Sequence, residues 1–118
     1  MKVIRVRPAG RRPAEGEIFR GAVLTQTVLG DADTDEHRVL EVTFTKGGRT
    51  KLHRHTTDQV LVITDGEGVV GTSDERQEVS RGDVVYIPKG EPHFHGAREG
   101  HDMTHLSVLG DNHTTILE

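Results

Sequence analysis

The stretch from Gly47 to Gly66, GGRTKLHRHTTDQVLVITDG, narrows the choice of fold more than any other part of this chain. His53 and His55 stand two residues apart, so on an extended strand both imidazoles leave the same face. From Gln59 onward the alternation continues, with Gln59, Leu61 and Ile63 on one face and Val60, Val62 and Thr64 on the other. A second stretch, Gly82 to His95 (GDVVYIPKGEPHFH), brings in His93 after a Gly-Asp turn, the apolar strand Val84, Val85, Tyr86, Ile87 and a Pro88-Lys89-Gly90 turn. That length of chain suffices to return His93 to the interior that His53 and His55 face. Three ring nitrogens and one amide oxygen are a donor set suited to a divalent ion.

The rest of the composition agrees with a site of this kind. Eight histidines against one Tyr, three Phe and no Trp leave the interior to Val, Leu and Ile, with imidazole in surplus. At 118 residues the chain is expected to be one domain spanning 1–118, with a single core. A net charge of −4 and the lack of a basic stripe interleaved with aromatics argue against nucleic acid or an anionic membrane as partner. There is no cysteine, so neither disulfides nor thiolate chemistry is available. The start, MKVIRVRPAG, has no apolar secretory region, and a cytoplasmic protein is expected. Asn112-His113-Thr114 matches a glycosylation sequon, read here as accidental.

Short strands are expected throughout. Residues 1–6 are expected as an edge strand, and Arg7 to Glu17 (RPAGRRPAEGE) as an arm or loop. Ile18 to Leu29 reads as one or two strands bent at Gly21. Gly30 to Glu36 is an acidic loop; Asp31, Asp33 and Asp35 imitate a calcium-binding loop, but Glu36 stands where that loop needs Gly and Val42 where it needs Glu. Arg38 to Lys46 is a strand, and Asp65-Gly66 is expected to close a tight hairpin with Gly68 to Thr72 returning. Gln77 to Ser80, Val84 to Ile87, Met103 to Leu109 and His113 to Leu117 complete the strands. Turns every eight to twelve residues, with no helical period, indicate an all-β antiparallel sandwich or barrel.

The two punctuated stretches resemble the cupin superfamily. Gly47, His53, His55, Gln59 and Gly66 fit the spacing of its first motif, with Gln where Glu is usual, and Gly82, Pro88, Gly90 and His93 fit the second, with Ala97 where Asn is usual. The resemblance implies a double-stranded β-helix, or jelly roll, with a barrel core over about residues 38–110, the arm 1–17 outside it and one metal inside. Neutral Gln59 leaves that ion without an anionic protein ligand, so it keeps more of its charge toward a bound oxygen. The run IPKGEPHFHGA followed by MTHLSV is similar to the small single-domain group that holds the cupin-type hydroxynitrile lyases. That likeness implies His53, His55, Gln59 and His93 as ligands of manganese or iron, with nickel, cobalt and zinc as further candidates.

His95 and His105 are the candidates for a catalytic part. His95, two residues after His93, shares its side on a regular strand and is read as an extra ligand, a partner of a ligand or a general base. His105 shares a face with Met103 and Ser107 on a strand expected to line the barrel, and both histidines are weighed equally as structural groups. His37, His101 and His113 are expected in solvent. The resemblance implies a lyase acting on a small molecule, with the metal as Lewis acid and His105 or His95 moving the proton. The same ligands suit a dioxygenase, and a non-catalytic small-molecule-binding cupin is the third reading. A homodimer formed through edge strands is the expected assembly. Lys51, Arg54 and Lys89 near the motifs are read as solvated charges, and Tyr86 and Phe94 as core residues or walls of a pocket.

Overall fold

The computed structural model describes residues 1–118 and is almost entirely β. After a short 3-10 turn at Pro8–Gly10 come β1 (Arg12–Pro13), β2 (Phe19–Arg20), β3 (Val23–Leu29), β4 (Arg38–Phe44), β5 (Arg49–Thr50) and β6 (His53–His55). They are followed by β7 (Gln59–Gly71), β8 (Arg76–Ser80), β9 (Val84–Ile87), β10 (Phe94–Ala97), β11 (Met103–Leu109) and β12 (Thr114–Ile116). All pairings are antiparallel. The first layer runs β1-β3-β4-β11-β7-β9, the second β8-β7-β10-β5-β2, and β6 with β12 forms a separate two-stranded ribbon. No helix is long and apolar enough to cross a membrane.

β7 belongs to both layers. Its first half lies between β9 and β11, its second between β8 and β10, and the chain passes from one layer to the other at Asp65 and Gly66. The expected hairpin at Asp65-Gly66 is therefore not formed, and Gly68 onward continues the same strand. The glycine signal is real but serves a bend: Gly66 has φ +80°, and a Cβ there would stand 2.1 Å from the Asp102 carbonyl oxygen. The register against β11 slips beside the bend, with Ile63 opposite His105 but Asp65 opposite Thr104.

Residues 1–6 form no strand, contrary to the sequence expectation. The edge of β3 they would need is taken by β1 at Thr25 and Leu24. Met1, Val3 and Ile4 stay in water, and Lys2 pairs with Asp33. The following arm is partly ordered, by the 3-10 turn and by β1. The other strands fall where alternation and turn residues place them, including the break at Gly21, whose φ is +81°.

The core is Val23, Val42, Phe44, Leu61, Ile63, Val79, Ile87, Ala97 and Met103. The same interior holds His53, His55, Gln59, His93, His95, His105 and Ser107, each buried. An interior lined by so many polar groups is costly unless each has a partner, so the partners identify its purpose.

Candidate metal centre

Parity on β6 turns His53 and His55 inward while Arg54 between them is exposed. His93 arrives opposite His53 in an isolated bridge, the two residues exchanging both backbone hydrogen bonds at 2.9 Å. Their ring centroids lie 4.3 Å apart. One ligand nitrogen from each of His53, His55 and His93 falls within 4.8 Å of the others. Gln59, the first residue of β7, closes the group: its Oε1 is 3.0 Å from His93 Nε2. The structure thus brings together all four residues that the sequence singled out as ligands.

The second ring nitrogen of each histidine is occupied. His53 Nδ1 donates to the Lys51 carbonyl at 2.7 Å, and His93 Nδ1 to the Glu91 carbonyl at 2.8 Å. A carbonyl only accepts, so in the neutral rings Nδ1 carries the proton and Nε2 presents a lone pair. For His55 the same result comes through a relay. Asn112 Nδ2 donates to the Gly110 carbonyl, Thr114 Oγ1 donates to Asn112 Oδ1 at 3.2 Å, and His55 Nδ1 donates to Thr114 Oγ1 at 2.8 Å. His55 Nε2 is buried without a partner. The amide of Gln59 is held by Nε2 donating to Ser107 Oγ at 2.8 Å. In that orientation Gln59 Oε1 and His93 Nε2 face each other as two acceptors with no proton between them. Converging lone pairs in a buried site repel, and a cation relieves them.

The rings are also held neutral. Burial, with the neighbouring His93, pushes His53 down to about 3. Burial and His93 push His55 down to about 4, and burial lowers His93. Neutral imidazole is the form that ligates.

His95 and His105 are adjacent. His95, on β10, stacks on His93 with centroids 5.7 Å apart and interplanar angle 14°, and its Nδ1 is 2.9 Å from His105 Nε2. His105, wholly buried on β11 beside Met103 and Ser107, leans on Phe44 at 5.5 Å. Burial lowers His105 to about 4, and burial plus the surrounding imidazoles put His95 well below its ordinary value. His95 Nε2 and His105 Nδ1 have no partner. His37, His101 and His113 are exposed, as expected.

Two recesses approach the group. A cleft of about 110 Å³ reaches His93 between Val70, Val85, Tyr86, Ile87 and Phe94. A larger, mostly apolar one of about 390 Å³ lies among Leu29, Val39, Leu40 and Leu109 and ends on Ser107. Tyr86 and Phe94 thus wall the smaller cleft, although Phe94 also packs beneath the guanidinium groups of Arg49 and Arg76. Asn112 and Thr114 escaped the sequence reading because they lie 57 and 59 residues from His55 and meet it only through the β6–β12 ribbon.

A barrel of two antiparallel layers with a histidine-rich interior defines a class, and the sequence confirms it. Residues 40–109 match the cupin domain family, and the chain belongs to that family. The chain is 35% identical to an (R)-mandelonitrile lyase of Granulicella tundricola over 85% of its own length and 76% of that protein's. It is 41% identical over 48% of its length to a gentisate 1,2-dioxygenase of a Ralstonia species, of which it covers 16%. A crystal structure of a cupin-like protein from Thermotoga maritima superimposes with a TM-score of 0.84 at 25% identity, covering 89% of this chain and 83% of that one.

Proposed function

We propose that this protein is a divalent-metal-dependent lyase that cleaves a small hydroxy compound of the cyanohydrin type. The observation that carries the reading is the buried set of lone pairs on His53, His55, Gln59 and His93, each aimed by a hydrogen bond from its other polar atom. These four would hold the ion, with manganese or iron ahead of nickel, cobalt and zinc. An ion held there would act as a Lewis acid toward a substrate oxygen. The neutral Gln59 amide adds no charge to offset it.

The remaining work falls to this chain's own side chains. His95 and His105 are uncharged at neutral pH, so either can accept a proton from a substrate hydroxyl. The proton taken up at one ring is shared across the 2.9 Å contact with the other, which spreads the charge in a site that burial makes hostile to it. Returned to the leaving group, the same proton completes the cleavage with no change of oxidation state. The apolar recess over Ser107 has a volume suited to a small aromatic or aliphatic substrate. The likeness to the mandelonitrile lyase over most of both chains supports the same choice.

The test is cleavage of mandelonitrile by the metal-loaded protein under nitrogen and in air. Equal rates are expected in both, with His105→Ala slower by roughly a hundredfold or more while still binding metal. Activity only with oxygen would replace the lyase by a dioxygenase. No turnover of any cyanohydrin, despite bound metal, would leave a binding role.

A further inference from the structure

The candidate metal centre is deep and has no charge of its own. His53, His55, Gln59 and His93 are between 1% and 6% exposed, so an ion in water does not meet them directly. Neutral imidazoles and an amide also exert little pull on a cation beyond contact range. A centre of this kind needs a way in and something to draw the ion toward it. β8 and β9 supply the way in. Each pairs with β7 alone, β9 along its first half and β8 along its second, so the two layers end here on free edges, with the cleft of about 110 Å³ among them. Register shows where the cleft leads. Val70 stands between Gln77 and His95 in one row of the second layer, and Ile87 stands opposite Gln59 in the first. Paired residues share a face, so both rows look into the barrel and run from the exposed Gln77 to the buried His95 and Gln59. His93 itself lines the cleft.

We propose that this cleft, with Glu75 and Glu91 at its mouth, is the port through which a divalent cation reaches the four donors, the larger recess being left to the substrate. The proposal rests on the metal centre and not on the choice of reaction. Glu75 and Glu91 are exposed and line the cleft, and no Lys or Arg does. Arg76, between Glu75 and Gln77, lies over the Phe94 ring at 5.0 Å and lines a neighbouring recess instead. The recess that ends on Ser107 differs in charge, because its Arg38 is paired with Asp31 at 2.7 Å and its rim has no single sign. It differs in size as well: 390 Å³ lies within the range of sites for organic ligands, which begins near ~300 Å³, and 110 Å³ lies below it. Because Gln59 gives the centre no anion with which to attract a cation, the two glutamates do so from outside. A cleft lined by one sign of charge between low-dielectric walls raises on-rates by roughly 10- to 1,000-fold. Further in, Val70, Val85 and Ile87 offer an ion no ligand on which to rest short of His93. Glu91 serves the centre a second time, since its backbone carbonyl accepts from His93 Nδ1 at 2.8 Å and so leaves Nε2 open.

The test is the rate at which metal-free protein takes up Co²⁺, followed by stopped-flow absorbance of the bound ion at low ionic strength. The wild type is expected to load one ion per chain at a rate that falls as salt is added. The double variant Glu75→Gln with Glu91→Gln, at two exposed positions, is expected to load roughly tenfold more slowly, to the same one ion per chain and with little dependence on salt. Val85→Phe, which narrows the cleft, is expected to slow uptake and release into a chelator by the same factor and to leave the affinity unchanged, as obstruction of a path does and loss of a ligand does not. Leu40→Phe, in the larger recess, is expected to change neither rate. Should Val85→Phe fail to fold, the glutamate variant decides alone. Uptake as fast in the glutamate variant as in wild type, or slowed by Leu40→Phe and not by Val85→Phe, would overturn the port and leave the metal centre standing. No uptake by the wild type would overturn both.

Discussion

Gln59 is the residue on which the proposed chemistry turns, its Oε1 lying 3.0 Å from His93 Nε2. Its spacing from His55 made it legible in the sequence, as did the spacing of His53 and His93, because ligand motifs are local and parity translates them directly into a shared face. What fixes each candidate ligand was not legible. Ser107 aims the Gln59 amide from 48 residues away, and Asn112 and Thr114 set the proton on His55 from a strand whose pairing no local signal announces. Ser107→Ala frees the amide, and a weakening of metal affinity by roughly tenfold or more is expected, read by competition with a chelator. An unchanged affinity would mean that the amide needs no anchor. Gln59→Glu replaces a neutral donor by a carboxylate, so it is expected to bind metal more tightly and to cleave substrate more slowly. Metal lost more readily from that variant than from wild type would remove Gln59 from the ligand set.

β7 is the element that joins the two layers, and it is where the sequence reading went astray. Asp65-Gly66 has the composition of a hairpin turn, yet both neighbours of β7 continue past it, and the glycine's positive φ is used to bend a strand of 13 residues. Composition reports that the backbone takes φ > 0; only the pairing on either side distinguishes a turn from a bend. The bend matters to the site because it carries Gln59 and Val70 on one continuous strand into different layers. Gly66→Ala meets both the unfavourable φ and the Asp102 carbonyl, and a loss of about 2 kcal/mol or more is expected in urea unfolding. Stability within ~0.5 kcal/mol of wild type would show that the bend tolerates a side chain. The segment 1–6 went astray for a related reason: its apolar residues suit a strand, but β1 already occupies the available edge.

The whole molecule is a barrel that buries five of its eight imidazoles, His53, His55, His93, His95 and His105, at the expense of acid stability. His53 and His105 titrate at about 3 and about 4 in the folded chain, below the ordinary 6.5. Above pH 6.5 both folded and unfolded chains are neutral at these positions and nothing is lost. Below it the unfolded chain binds protons that the folded chain refuses, so stability falls as pH drops from 6.5 toward 4. For His105 alone the loss at pH 5 is about 2 kcal/mol. The urea midpoint of metal-free protein is accordingly expected to be lower at pH 5 than at pH 7.5, and a midpoint unchanged between them would contradict the buried neutral rings. The all-β class and the cupin motifs were legible at this scale because strand length, turn chemistry and ligand spacing all agree. The four converging donors of His53, His55, Gln59 and His93 define the candidate metal centre, and elemental analysis tests them directly. One divalent first-row ion per chain is expected in wild type and in His105→Ala, with the ion lost from His53→Ala and His93→Ala. Equal metal in all four proteins, or none in any after loading, would contradict the site.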